Sequence, residues 1–293
     1  MTTAQTIINQ ARRDLLAGVT EERNKLSAGV DAVTTTFPFS FDLKGIRAGS
    51  VVEGDAELVY VWSTSGANAT VERGWEGTTA ASHAANAVAT VKPRFPTQML
   101  FDHLNDDISD LSSPGNGLFQ IKTLERAYNG SDRAINLTGV SDLLDVHEVR
   151  WKYLSDDWPE VRRWRLMRDT NTTSFASGHA LIIDEPVQAS TLRIIYKAPY
   201  TRLTTVTQDV TSDAGVQASL EDVLRMGVQL RAMVGREVKR NFTEAQGDTR
   251  RAQEVTAGNV QGSWRGIAAL RQTRIEAEQA RLSKMYPQRI RRY

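Results

Sequence analysis

The chain has 293 residues, of which 40% are hydrophobic and 24% are charged. These proportions are ordinary for folded proteins and exclude wholesale disorder, and the length predicts two or three modules. The absence of cysteine excludes disulfides, thiolate metal ligands and thiol nucleophiles. No apolar run approaches the ~20 residues of a membrane-spanning helix, and the first residues lack the basic-then-apolar order of a signal peptide. We therefore expect no membrane partner and no secretory routing.

The net charge of +1 conceals an asymmetry along the chain. Residues 221–293 contain 15 Lys and Arg against 8 Asp and Glu, a balance of +7, whereas residues 1–220 have a balance of −6. Such a chain can associate head to tail with copies of itself or with charged neighbours. A solvated basic helix face explains the same charges equally well, so both readings stay open.

The first third of the chain predicts a helix followed by short strands. Residues 1–30 are assigned to the N-terminal helix of a helical domain, because Ala4, Ile8 and Ala11 share one face. Residues 31–96 change to a period of two and predict a small β module, with a clear strand at 57–63.

Residues 97–112 predict a second helix with an acidic side. Its aspartates are Asp102, Asp106, Asp107 and Asp110. Like charges four residues apart are mildly destabilising unless basic groups face them. They form either a solvated face or a contact with a neighbour's basic helix.

Residues 117–206, after a Pro- and Gly-containing linker, predict a β-sandwich-like module, because turn signals separate candidate strands at short intervals. Aromatic and basic residues alternate in these strands, a pattern that can bind nucleic acid or sugars. The stretch around Trp164 equally describes an ordinary strand with Trp164 in the core, and we favour that interpretation.

Residues 207–293 predict two amphipathic helices and a basic tail. Ser219 and Asp222 fit a capping box at the start of the first helix. The polar segment 243–262 between the helices is a candidate for ordering on assembly. The second helix has one face that mixes apolar and charged groups, which suits a partner better than a closed core. We predict that this face is a subunit interface formed by Trp264, Ile267, Arg271, Ile275, Glu278 and Leu282.

Together these patterns predict an α+β protein. Its helical bundle domain would be built from residues 1–30, 97–112 and 207–293, with two antiparallel β modules inserted, one small and one sandwich-like.

The sequence contains no recognisable catalytic constellation. Its four histidines lie at least twenty residues apart, and P-loop, dinucleotide-binding and nucleophile-elbow motifs are missing. The group Asp142, Asp145, His147 and Glu148 could bind a cation, but an exposed polar turn before a strand is far commoner. We therefore expect no enzymatic activity, no cofactor and no metal.

The most distinctive stretch of the chain lies at 71–88. It has the spacing V-x-R-G-x-x-G-T-x-A-x-x-H followed by a valine. The fixed positions are Arg73, Gly74, Gly77, Thr78 and His83. The glycines permit tight backbone geometry after a strand, and the threonine can hydrogen-bond the turn. This string resembles one that recurs in structural proteins of tailed bacteriophages.

A β segment that runs into C-terminal helices extends the resemblance, so that the chain is similar to head-to-tail connector (adaptor) proteins of long-tailed phages. The resemblance implies a virion structural protein at the neck, assembled in the host cytoplasm as a homo-oligomeric ring, a dodecamer, that lets the genome pass. Its implied partners are the portal protein, other neck or tail proteins and, without sequence specificity, the genomic DNA. Arg73 and His83 would be structural or interface groups.

The resemblance also implies a C-terminal segment that docks onto the portal. In this chain the docking residues would be Met285, Tyr286, Arg289, Ile290, Arg291, Arg292 and Tyr293.

Two other functions fit the sequence less well. A baseplate or tail-tip protein would use the aromatic β region to bind a receptor or carbohydrate, and a glycan array separates it from an adaptor. A soluble enzyme or carbohydrate-binding protein is the alternative from another class, and a bound metal in elemental analysis would favour it.

Overall fold

The computed structural model describes residues 2–154, 157–234 and 259–287. These ranges contain four α-helices, namely α1 (Ala4–Leu16), α2 (Thr97–Leu111), α3 (Glu221–Met233) and α4 (Asn259–Met285). The first strands are β1 (Arg23–Lys25), β2 (Thr36–Pro38), β3 (Val51–Gly54), β4 (Glu57–Ser65), β5 (Asn68–Glu72) and β6 (Val88–Val91). The later strands are β7 (Gln120–Tyr128), β8 (Ala134–Asn136), β9 (Asp145–Trp151), β10 (Trp164–Met167), β11 (Ala180–Ile183) and β12 (Ser190–Ala198).

The chain divides into two compact units, each made of two stretches of sequence. Unit 1 contains residues 1–107 and 202–272, and unit 2 contains residues 108–201 and 273–293. Each unit therefore depends on contacts between residues that are far apart in the sequence.

The six strands of unit 1 form one curled antiparallel sheet, in the order β1-β6-β3-β4-β5-β2. Its inner face buries alternate residues of the strands, as expected for a strand with one solvated face. Val59 and Val61 of β4 belong to this core, with Phe37 and Phe39 from β2 and the residues after it. Helix α2 begins next to this sheet, and its first amide donates a hydrogen bond to the carboxylate of Glu53 on β3.

The helices of unit 1 are held to one another and to the sheet by polar contacts as well as by apolar packing. Helix α1 packs against α3, and Gln229 of α3 donates to Asp14 of α1 at 2.6 Å. Thr3 caps α1 by accepting the amide of Thr6.

Unit 2 contains two three-stranded antiparallel sheets, β7-β12-β9 and β10-β11-β8. Both sheets contribute side chains to one hydrophobic core. Strand β12 lies at the centre of its sheet, and Leu192 and Ile194 from this strand are buried in that core.

The prediction of a helical bundle domain is wrong. Among the described residues, helix and strand each account for 28%, and the architecture is dominated by antiparallel sheets. Residues 1–30 contain not only α1 but also β1, an edge strand of the curled sheet. Helical periodicity shows that one face is apolar without showing what covers it, and here the helices accompany a sheet.

Within the described residues, no helix is long and apolar enough to cross a membrane. The last six residues of the predicted docking tail, and most of the polar segment 243–262, lie outside the described ranges.

Candidate functional site

The distinctive string at 71–88 forms the end of β5 and a loop that returns to the sheet. Gly74 has a φ of 63°, and Gly77 has a φ of 81°. A Cβ at Gly74 would lie 2.7 Å from the carbonyl oxygen of Thr78, whereas a Cβ at Gly77 would meet no atom within 4 Å. The Thr78 hydroxyl accepts the amide of Leu58 at 3.0 Å and donates to the carbonyl of Trp75 at 2.9 Å. The spacing of the string therefore corresponds to one tight turn fastened to β4.

One buried carboxylate, that of Glu57 at the start of β4, organises this loop. The Arg73 guanidinium donates to both of its oxygens, at 2.7 and 2.8 Å. The amides of Gly74 and Ala81 each donate at 3.0 Å, and the Nε2 atom of His83 lies 3.0 Å away. The side chain of Glu57 is fully buried. Its five polar contacts join the two ends of the loop to the strand.

The charge state of Glu57 follows from these contacts. Burial raises its pKa, but hydrogen bonds from Arg73, from the amides of Ala81 and Gly74 and from His83 outweigh burial and lower the pKa to about 2. Glu57 is therefore ionised at neutral pH and is a poor proton acceptor.

His83 lies between two carboxylates. Its Nδ1 atom is 2.8 Å from Asp55 and its Nε2 atom is 3.0 Å from Glu57, while the imidazole packs edge-on against Phe37. The hydrogen-bonded series Asp55–His83–Glu57 resembles part of a proton relay. Here the series ends at Glu57, whose carboxylate already accepts hydrogen bonds from Arg73 and from backbone amides. We therefore interpret it as a structural network.

A second polar cluster fixes the start of α2. The carboxylate of Glu53 accepts the amide of Thr97 and lies 3.3 Å from the guanidinium of Arg12, which also donates to the Thr97 hydroxyl at 2.6 Å. Burial raises the pKa of Glu53, and the Arg12 charge and the hydrogen bonds from Thr97 oppose that effect. An anion at a helix N-terminus satisfies free amides and the helix dipole.

The acidic side of α2 is used inside the chain. Asp107 is buried and pairs with Arg271 of α4 at 2.8 Å, with Arg231 of α3 at 3.6 Å. Asp106 pairs with Arg202 at 3.2 Å. The sequence pattern required basic groups facing the aspartates of α2. Arg202, Arg231 and Arg271 of the same chain are such groups.

Gly227 of α3 allows this close approach, because a Cβ there would overlap the carboxylate of Asp107.

The predicted subunit interface on α4 is distributed between buried and exposed positions. Ile275, Glu278 and Leu282 are buried, and Arg271 is occupied by Asp107. Trp264 is 37% exposed. The first half of α4 is therefore the part of this face that is open to a partner.

Tyr286, just after α4, is anchored within unit 2. Its ring packs against Phe119 and His147, with centroids 6.2 and 5.2 Å apart, and its carbonyl accepts from Lys197 at 3.3 Å. Met285 is 53% exposed. The remaining docking residues, Arg289 to Tyr293, are not described.

The aromatic and basic residues of unit 2 have different environments. Trp164 lies in the core, as the favoured interpretation expected. The Arg193 guanidinium lies over the ring of Trp158 at 3.7 Å and pairs with Glu125 at 2.7 Å. Tyr153, which packs edge-on against Trp151, remains 54% exposed.

The candidate cation group is also divided among other contacts. Asp142 pairs with Lys122 at 2.6 Å, and Glu148 pairs with Arg150 at 2.8 Å. No group of three or more His, Asp or Glu suited to a metal occurs in the described ranges.

Sequence reasoning missed Glu57, the residue on which the motif converges. The only sequence signal was a charged residue directly before the apolar run of β4, which is common at the start of a strand. The chain matches no protein-family model and shows no significant similarity to any curated protein sequence.

Proposed function

We propose that this chain is a non-enzymatic structural protein of a tailed-phage virion that forms the head-to-tail adaptor ring between portal and tail and allows genome passage. The observation that carries the proposal is that the motif has a structural role. Arg73, Gly74 and His83 hold one loop to the sheet through their contacts with Glu57. A module of this kind supports a rigid building block, and its ionised carboxylate is satisfied by internal donors.

The C-terminal end supports portal docking in this proposal. Tyr286 packs against Phe119 and His147 within unit 2, and the residues that follow it in the sequence include Arg289, Arg291 and Arg292. The basic segment binds the portal, while loose contacts to DNA phosphates in the channel are non-specific.

The test is the mass of the purified chain by light scattering, alone and mixed with a portal protein. A ring-sized species, or a monomer that assembles only on the portal, supports the adaptor function. A variant lacking 288–293 should keep the fold and lose portal binding; the deletion begins after Tyr286 because that residue packs within unit 2. Retained portal binding by the deletion variant, or a chain indifferent to the portal, argues against the proposal.

A baseplate or tail-tip protein is the second candidate function. The exposed Tyr153 beside Trp151 favours it, because such rings can stack on sugars. A glycan array with the full chain and with Tyr153→Ala decides between the two: an adaptor should bind no glycan, whereas binding lost in the variant supports the tail-tip function.

A further inference from the structure

The outer face of the curled sheet carries an aromatic cluster in which Tyr60 and Trp75 are half-buried and Trp62 is exposed. Tyr60 and Trp62 lie on β4 and Trp75 lies in the motif loop. The rings of Tyr60 and Trp75 are stacked with centroids 4.6 Å apart, and Trp62 meets Tyr60 edge-on at 4.9 Å. Trp62 is 58% exposed. We call these three residues the aromatic platform.

The buried network determines where the platform lies. Trp75 follows Arg73 and Gly74, both of which are bonded to Glu57. The indole N–H of Trp62 donates to Glu72 at 3.2 Å, which fixes the ring orientation. An exposed aromatic surface held this rigidly loses little conformational entropy on binding, as is typical of interface hot spots.

The platform is acidic at its edge. Glu72 touches Trp62, and Glu76, directly after Trp75, is exposed. Acidic groups beside aromatic faces favour a cationic partner and disfavour phosphate-bearing ones.

The same chain twice combines an arginine, an aromatic ring and a glutamate. The Arg193 guanidinium lies over Trp158 and pairs with Glu125. Arg73 lies 5.0 Å from the centre of the Phe37 ring and pairs with Glu57. These two arrangements show the geometry that this combination favours.

Trp62 and Glu72 provide the ring and the carboxylate of the same arrangement. Among the described residues, Glu72 is bonded to Trp62, and the arginine–ring contacts involve other rings, those of Phe37 and Trp158.

The first half of α4 offers complementary chemistry. Residues 261–266 are all exposed, and Leu270 is 57% exposed. Between residues 259 and 272 the helix contains Arg265 and Arg271 and no acidic residue. Arg271 is paired with Asp107, whereas Arg265 is exposed beside Trp264.

We infer that the aromatic platform of one copy of this chain binds the first half of α4 of a second copy, with Arg265 placed over Trp62 and against Glu72. The inference rests on the homo-oligomer of the proposed function and names one of its contacts. Since the two surfaces differ, the contact is heterologous and each copy can use both surfaces, which is how rings and filaments are built.

Sedimentation of the full chain over a range of concentrations tests the contact. Trp62→Ala and Arg265→Glu should each weaken self-association by roughly tenfold or more, as expected for hot-spot residues. Phe41→Ala and Arg133→Glu, which change an exposed ring and an exposed arginine elsewhere, should leave it unchanged. A wild-type chain that stays monomeric, or variants that associate like wild type, would overturn the inference.

Mixing the two defective variants gives a sharper result. A Trp62→Ala chain keeps its helix surface and an Arg265→Glu chain keeps its platform, so an equimolar mixture should form a one-to-one dimer at concentrations where each variant alone stays mostly monomeric. The double variant Glu72→Arg and Arg265→Glu should recover association by exchanging the charges. No dimer in the mixture contradicts the contact between copies.

Crosslinking identifies the partner directly, since the chain has no native cysteine. Thr70→Cys in one copy and Ser263→Cys in another should crosslink only when both are present. Crosslinking within a single chain that carries both cysteines, or binding of neutral oligosaccharides that Trp62→Ala abolishes, would assign the platform to another occupant.

Portal binding by the Arg265→Glu variant separates this inference from the adaptor function, because the docking tail is intact in that variant.

Discussion

Glu57 shows how a single charged residue can be buried without loss of stability. An ionised carboxylate without partners is costly to remove from water. Five polar contacts from Arg73, His83 and two amides replace its hydration. The network stabilises the fold only while Glu57 is ionised, which makes stability depend on pH.

We expect part of the stability to be lost in acid because of Glu57. Its pKa falls from 4.5 to about 2 in the folded state, so its contribution is fully present above pH 4.5 and is lost as the pH falls through about 2. The contribution is on the order of 3 kcal/mol. Denaturant titrations from pH 6 to pH 2 should show the free-energy difference between wild type and Glu57→Gln shrinking over this range.

Glu53 is present in both the wild type and the Glu57→Gln variant, so its effect on the free energy of unfolding cancels in the difference between them. A difference that stays constant with pH would contradict the role assigned to Glu57.

The two glycines of the motif give a matched pair of substitutions. Gly77→Ala introduces only the strain of a positive φ, about 1–2 kcal/mol, because no atom lies near the new Cβ. Gly74→Ala adds overlap with the carbonyl of Thr78. We predict a clearly larger loss of unfolding free energy for Gly74→Ala, measured by denaturant titration. Equal losses would show that the loop moves freely away from Thr78.

At the scale of elements, the start of α2 depends on a strand and on another helix. Arg12→Met should cost about 3 kcal/mol, because it leaves the buried carboxylate of Glu53 without its cation. Arg13→Met, at an exposed neighbouring position, should cost less than about 0.5 kcal/mol. Thermal denaturation compares the two. Similar melting temperatures would contradict the role of the Arg12–Glu53 pair.

Several elements could be predicted because their sequence signals are local. The helix predicted at 97–112 coincides with α2, and the strand predicted at 57–63 lies within β4. Strand β1 was missed because its three polar residues show no apolar alternation, and it exists only through pairing with β6. The same limit explains the wrong helical bundle, since periodicity does not reveal what covers an apolar face.

The candidate site was predictable only in part. The spacing of the motif indicated a tight turn, and the two positive-φ glycines have that geometry. The convergence on Glu57 joins residues 16 to 26 positions apart, and no local pattern encodes such contacts.

On the scale of the whole molecule, the charge asymmetry becomes a prediction about salt. If acidic and basic surfaces of different copies meet, raising the salt concentration from about 0.1 M to 1 M shortens the screening length from about 10 to 3 Å and should weaken self-association. Light scattering at several salt concentrations measures this effect. The Arg265→Glu variant is the control and should show a much flatter dependence, while an unchanged wild-type mass would argue against charged contacts.

The pairing of the two ends of unit 1 also bears on how the chain is made. Residues 4 and 5 donate to carbonyls of residues 208 and 206, so the partners of the first helix leave the ribosome about 200 residues later. At roughly 5–20 residues per second, this delay is on the order of 10–40 s. During that time Ile7 and Ile8, which are buried in the finished protein, have no cover from α3. Nascent chains that stop before α3 should therefore be targets for chaperones that bind apolar segments.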